Sequence, residues 1–289
     1  MERPPTPVGG RFYWPETRAI FSALGVEGHV VRAVGGAVRN TLLHRPVHEV
    51  DLATDADPKT VMRLAGEAGL KAVPTGLDHG TVTLVVNGKP FEVTTLRADV
   101  ETYGRRAKVD FTDDWRADAS RRDFTINALY ADGDGTLFDP LGGAKDIAEH
   151  RIRFIGEPDE RIREDYLRIL RFFRLAAELE TPEFDKEGLT ACTRERAGLS
   201  GLSAERVHTE MRRLLIAPAA MKSLTAMFDH GLLVAVLGSV CRLPRLERLI
   251  GVENALGWKG DAMLRLAALC VEVGEDSERL STRLKLSNR

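Results

Sequence analysis

The stretch Val34–Pro58, VGGAVRNTLLHRPVHEVDLATDADP, carries more of this chain's meaning than any other. It leaves an apolar strand signal through paired glycines, Gly35 and Gly36, and passes into the helical pattern of Ala37–Leu43. A strand that turns through glycine into a helix aims backbone N–H groups outward, where phosphate oxygens can sit. Arg39, one turn in, can add a charged fork. By itself the pattern more often marks an ordinary strand-to-helix turn than a phosphate site. Glu49 and Asp51 then alternate within HEVDLAT (48–54), which reads as a strand. Strand residues i and i+2 share a face, so the two carboxylates are expected side by side. Like charges at that spacing repel unless a cation lies between them, and hard oxygen ligands suit Mg²⁺, which fills its shell with water and substrate phosphates.

Glu92, in FEVTTLR (91–97), is a third carboxylate on an expected strand. Beside the first two it would complete a two-metal site, in which one ion lowers the pKa of an attacking hydroxyl and the other clamps the leaving phosphates. Each acidic residue taken alone also fits a solvated strand face.

Outward from this stretch the first half alternates strands and helices. HVVRAVGG (29–36) and TINALYAD (125–132) read as strands, and DPKTVMRLAGEAG (57–69) as a helix with Asp57 at its N-cap and proline in its first turn. GTVTLVVNGKPFEVTTLR (80–97) reads as a hairpin turned by Asn87-Gly88. Asp99–Asp118 reads as a long polar loop in which Arg105 and Arg106 are candidates for positioning substrate. From about residue 144 helical periodicity takes over, at 162–179, 203–215 and 220–237. The expected division is residues 1–146, 147–215 and 216–289.

Apolar residues make up 43% of the 289 and charged residues 29%, a globular balance. No window approaches the length of a membrane span, and MERPPTPVGG lacks a signal-peptide core, so a cytoplasmic protein without a membrane partner is expected. Cys192, Cys241 and Cys270 are too scattered for a zinc site or disulfide frame and read as buried thiols. Net charge is −2, yet arginines concentrate in 151–174 and 194–213, enough for a basic face.

The motifs VGGAVRNTLLHRPVHEVDLATDADP, FEVTTLR, RRDFTINAL (121–129), DPLGG (139–143) and REDYLRILRFFRLAA (163–177) resemble, in order and spacing, the class II tRNA nucleotidyltransferases. These are the bacterial-type CCA-adding enzymes and their poly(A) polymerase relatives, and the resemblance spans roughly residues 29–237. It implies a polymerase-β-like α/β head, a helical neck and a helical body. It also implies Mg²⁺ as cofactor, ATP and CTP as substrates, the tRNA 3′ acceptor end as partner and no obligate protein partner. Gly35, Gly36 and Arg39 would meet the triphosphate, and Glu49, Asp51 and Glu92 would hold the metals. Arg122, Asp123 and Asn127 would serve the nucleotide from the head. Asp165, Arg168, Arg171 and Arg174 would serve it from the neck.

On one helix, Asp165 and Arg168 would be surface neighbours. A carboxylate only accepts hydrogen bonds and a guanidinium only donates them. Cytosine and adenine each show an amine donor beside a ring-nitrogen acceptor, whereas uracil and guanine reverse that polarity. The pair can therefore stand in for a template, or it is a surface ion pair. Family members continue through further helices, so the body is expected to be incomplete here. The leading expectation is CCA addition. A-adding, CC-adding and poly(A)-adding enzymes share the chemistry; a non-catalytic RNA- or nucleotide-binding protein on the same fold is the alternative from another class.

Overall fold

The computed structural model describes residues 14–103 and 106–286. The chain divides after Glu149 into two compact units. In the first, α1 (Pro15–Leu24) precedes β1 (Val31–Val34), α2 (Gly36–Leu42), β2 (Asp51–Thr54), α3 (Pro58–Glu67), β3 (Lys71–Gly76), β4 (Thr81–Val86) and β5 (Lys89–Thr95). Then follow β6 (Arg97–Tyr103), β7 (Arg106–Phe111), α4 (Trp115–Ser120), β8 (Tyr130–Ala131), β9 (Leu137–Phe138) and α5 (Gly143–Ala148). Seven strands form one mixed sheet in the order β3-β4-β5-β2-β1-β8-β9, with β2 and β5 parallel.

Local chemistry explains the sheet. In β4, Val82, Leu84 and Val86 are buried while Thr81 and Thr83 are half-buried, the alternation of a strand with one face inward. Asn87 and Gly88 take φ of 51° and 76°, the left-handed pair that a tight hairpin needs. Asp57 caps α3 by accepting from the N–H groups of Lys59 and Thr60, with Pro58 in the first turn.

Three segments of this unit depart from expectation. Only Asp51–Thr54 of HEVDLAT is strand, because β1 pairs with it from Val31↔Thr54 to Val34↔Asp51 and then turns away at Gly35. Glu49 therefore lies before the strand. TINALYAD is mostly not strand: Thr125–Asn127 form a 3₁₀ turn, and only Tyr130–Ala131 pair with β1. Asp123 drives the turn by accepting from Phe124 N–H (2.8 Å) and from Asn127 Nδ2 (3.0 Å), a local competitor to the ladder. The expected loop at 99–118 contains an antiparallel ribbon, β6 with β7, registered from Arg97↔Phe111 to Tyr103↔Arg106, followed by α4. Its Arg105 lies outside the described residues, as does the side chain of Arg106.

The second unit is all helix: α6 (Pro158–Glu164), α7 (Leu167–Glu178), α8 (Lys186–Arg194), α9 (Ala204–Leu215), α10 (Ala220–Asp229), α11 (Leu232–Leu237), α12 (Leu243–Ala255), α13 (Ala262–Cys270) and α14 (Gly274–Leu284). Its core is built on α7. Phe172 stacks on Phe154 at 5.6 Å and meets Phe173 edge-on at 5.3 Å, both α7 rings fully buried. Burial of rings this size stabilises the unit by about 2–3 kcal/mol each. The helix expected over 162–179 breaks at Asp165, which adopts φ −153°, ψ 103° between α6 and α7. That over 220–237 breaks at Gly231, at φ 71°. Among the described residues no helix is long and apolar enough to cross a membrane.

Candidate functional site

Gly35 sits between β1 and α2 at φ 70°, ψ −125°, a conformation L side chains rarely adopt. Its N–H donates to Leu129 O, and a Cβ added there would lie 3.8 Å from Arg122 Nη1. Gly36 faces the guanidinium of Arg39. That guanidinium is buried and held: Nη1 donates to Asn127 Oδ1 (2.6 Å), while Nε and Nη2 donate to Asn40 Oδ1. Asn127 in turn donates to Asp123. Arg39, Asn127 and Asp123 thus form one chain of hydrogen bonds behind the glycine turn.

The turn that carries Asn127 is braced by DPLGG. Asp139 accepts from Gly143 N–H (2.8 Å) and Ala144 N–H (2.9 Å), starting α5, and Gly143 packs so close that a Cβ would lie 2.2 Å from Thr125 O. Only glycine fits there. Thr125 Oγ1 donates to Asp146 at 2.5 Å.

Asp51 opens β2 beside this cluster. The β2–β5 register runs Leu52↔Val93 and Ala53↔Thr94, so one step earlier Asp51 lies next to Glu92. Asp51 is exposed at the strand end but enclosed by protein at longer range, and this partial desolvation raises its pKa from the ordinary carboxylate value. The charges of Glu92 and then Glu49 raise it further, while Arg122 opposes them. Among the described residues no side-chain hydrogen bond or ion pair is made by the three carboxylates, unlike most charged groups around them. Among the described residues no three acidic, His or Cys side chains are gathered closely enough to hold an ion by themselves. The donor set fits a hard divalent cation that takes the rest of its oxygens from phosphate and water, and does not fit a closed protein cage.

Arg122 is the cation facing this group, and residues not singled out from sequence hold it there. Asp118 on α4, buried, accepts from Arg122 Nη2 (3.0 Å), Arg121 Nε (2.9 Å) and the hydroxyl of Tyr130 (2.7 Å). Tyr130, fully buried on β8, also accepts from Arg122 Nε (3.2 Å). Burial pushes the Tyr130 hydroxyl pKa well up, keeping it a donor. The i,i+4 spacing of Asp118 and Arg122 was the available signal for this tie.

In the helical unit the Arg168 N–H donates to Asp165 O (3.0 Å) across the break, but the two side chains take different partners. Asp165 accepts from Leu167 N–H (3.2 Å) and from Arg206 Nη2 of α9 (2.6 Å). Arg168 Nη1 donates to Arg161 O (2.7 Å) and to Glu164 Oε2 (2.6 Å). Arg171 approaches Glu210 at 3.7 Å and is half-buried. Arg174 is 2% exposed, with Nε 2.5 Å from Glu210 Oε2 and Nη1 2.7 Å from Glu178 Oε2. It bolts α7 to α9, leaving no surface for a ligand.

Residues 31–153 match the family described as the poly A polymerase head domain, and residues 183–242 that described as a probable RNA and SrmB-binding site of polymerase A. The chain is 38% identical over 265 residues to the mitochondrial CCA tRNA nucleotidyltransferase 1 of Mus musculus, covering 90% of this chain and 60% of that protein. It is 36% identical over 282 residues to the CCA-adding enzyme of Geobacillus stearothermophilus, covering 95% and 67%. Among solved structures it resembles the Bacillus stearothermophilus CCA-adding enzyme in complex with CTP, at 33% identity and TM-score 0.73, over 94% of this chain and 66% of that one. The Thermotoga maritima CCA-adding enzyme complexed with tRNA matches in fold, at 19% identity and TM-score 0.77, over 99% and 71%. The mixed-sheet unit is a polymerase-β-like head, and the helices after it follow the same architecture.

Proposed function

Since the chain belongs to the family of CCA-adding tRNA nucleotidyltransferases, we propose that it adds C, C and A to tRNA 3′ ends from CTP and ATP without a nucleic-acid template. Enzymes of this family are generally metal-dependent. The observation that carries the reading is the set of unpaired carboxylates Glu49, Asp51 and Glu92, facing the buttressed guanidinium of Arg122 beside a glycine turn. A protein that only binds RNA has no use for uncompensated acidic repulsion at such a place.

Asp51 and Glu92, with Glu49 alongside, would hold Mg²⁺. The ion would supply activation of the terminal tRNA hydroxyl and charge neutralisation on the triphosphate. Gly35 and Gly36 let the triphosphate approach the backbone. Arg122 carries positive charge toward it, and Arg39, Asn127 and Asp123 keep the turn in shape.

Base choice is assigned to Asp165 and Arg168, each held separately. Arg206 and Glu164 fix them while leaving lone pairs on Asp165 and the Nε and Nη2 donors of Arg168 for a base edge. C and A meet that polarity; U and G leave it unsatisfied at a cost of a few kcal/mol. We read residues 1–146 as head, 147–215 as neck and 216–289 as body, in a cytoplasmic enzyme whose three thiols are free. The chain spans 60% of the length of its mouse relative.

The test is incubation of tRNAs ending before each of the last three nucleotides with Mg²⁺ and each triphosphate separately. Sequential C, C and A addition supports the reading. Only A, only C, or runs of A identify the A-adding, CC-adding or poly(A)-adding enzymes, and nucleotide binding with no extension identifies a binding protein.

A further inference from the structure

Cys241 and Cys270 are far apart in sequence and adjacent in space: their sulfurs are 3.9 Å apart, and both are buried. Cys241 lies in the non-helical segment between α11 and α12, and Cys270 is the last residue of α13. One residue beyond Cys241 the Arg242 N–H donates to Leu269 O, one residue before Cys270, at 2.7 Å. The two backbones are therefore already stitched beside the thiols.

We propose that Cys241 and Cys270 are a modification site, a thiol pair that a low-molecular-weight disulfide closes reversibly into an intramolecular disulfide. A disulfide needs the sulfurs at about 2.05 Å, so they must approach by roughly another 2 Å. Side-chain rotation and the short non-helical segment from Ser239 to Cys241, which precedes the Arg242 N-cap of α12, supply that movement. The neighbouring Val240 is 73% exposed, so a small oxidant needs only a local opening to reach Cys241. The hydrogen bond to Cys241 and burial push the Cys270 thiol well up, and the charges of Arg245, which donates to Ala268 O, and Arg279, which donates to Ser239 Oγ, oppose that rise. The hydrogen bond from Cys270 lowers the Cys241 pKa from the ordinary thiol value, which makes Cys241 the attacking sulfur. Cys192 is the contrast: burial pushes its thiol well up, and among the described residues the thiol–thiol contact is that of Cys241 with Cys270.

The chemistry balances. The Cys241 thiolate attacks one sulfur of the oxidant, the oxidant's S–S bond breaks, and one small thiolate leaves and takes up a proton. The Cys270 thiolate then attacks the Cys241 sulfur of the mixed disulfide, releasing the second small thiol. Two protein thiols lose two protons and two electrons, and the oxidant gains them as two thiols.

The experiment incubates the protein with oxidised glutathione, unfolds and alkylates it, and maps the peptides by mass. A linked Cys241–Cys270 peptide with Cys192 alkylated is expected. With it should come a rise in the unfolding midpoint on the order of 5–10 °C, because a closed loop constrains the unfolded chain. Dithiothreitol, C241S and C270S should each abolish the rise, and C192S should not. Alkylation of all three cysteines, or glutathione adducts without the internal link, would overturn the proposal. So would a rise that persists in C241S.

Discussion

Asp118 holds Arg122 from four residues away, its Oδ2 3.0 Å from Nη2 and 2.7 Å from the Tyr130 hydroxyl. A guanidinium facing an acidic cluster would otherwise swing toward Asp51 and neutralise the charge a metal needs. Asp118 and Tyr130 bind its other side and hold it back. Asp118→Asn keeps the shape and removes the charge. Triphosphate KM is expected to rise by roughly tenfold or more, and stability to fall by about 2–3 kcal/mol. Tyr130→Phe, which loses one neutral group, should cost about 1 kcal/mol. Steady-state kinetics beside urea unfolding measures both.

The same carboxylate fixes an acid limb. Burial pushes the Asp118 pKa up, but the Arg122 and Arg121 charges together with the hydrogen bonds from Tyr130 and Arg122 outweigh it and leave the carboxyl below its ordinary value. A carboxyl lowered on folding contributes stability that is complete above the unfolded value, near 3.9, and is lost as pH falls through the lower folded value. Stability measured from pH 5 downward should fall less steeply in Asp118→Asn than in the wild type.

Asp51 has the opposite sign. Its pKa is raised, so its charge destabilises the folded chain at neutral pH, and protonation at lower pH relieves this. Asp51→Asn should melt no lower than the wild type without divalent cation, and should no longer gain stability from Mg²⁺ with CTP. Differential scanning calorimetry with and without the ligands reads this, and a variant less stable than the wild type would remove the strain argument.

Arg174 and Arg168 should separate cleanly. Arg174→Ala leaves buried Glu210 with only the more distant Arg171 and is expected to cost about 3–5 kcal/mol, lowering every activity through unfolding. Arg168→Ala should leave the melting point within a degree or two and raise UTP incorporation relative to CTP. Arg206→Ala, which frees Asp165, should shift the same ratio more weakly. Competition assays with paired triphosphates measure the ratio.

These separations also mark where sequence was informative. The Asn87-Gly88 turn, the Asp57 cap and the glycine at 35 are short-range physics, and they are as the letters imply. Glu49 leaves the strand because its partner β1 is only four residues long, a fact of pairing that no local window contains. The break at Asp165 is invisible to periodicity, since the tie that holds it comes from Arg206 on another helix. Burial of Arg174 was hidden for the same reason: Glu210 is 36 residues away.

Incorporation of labelled CTP and ATP into a tRNA lacking its 3′ CCA, compared between the wild type and Asp51→Ala with Mg²⁺, tests the acidic site most directly. The wild type should add C, C and A in order, and Asp51→Ala, folded by circular dichroism, should add nucleotides at roughly a thousandth of that rate or less. Addition by Asp51→Ala within about tenfold of the wild-type rate would contradict the account.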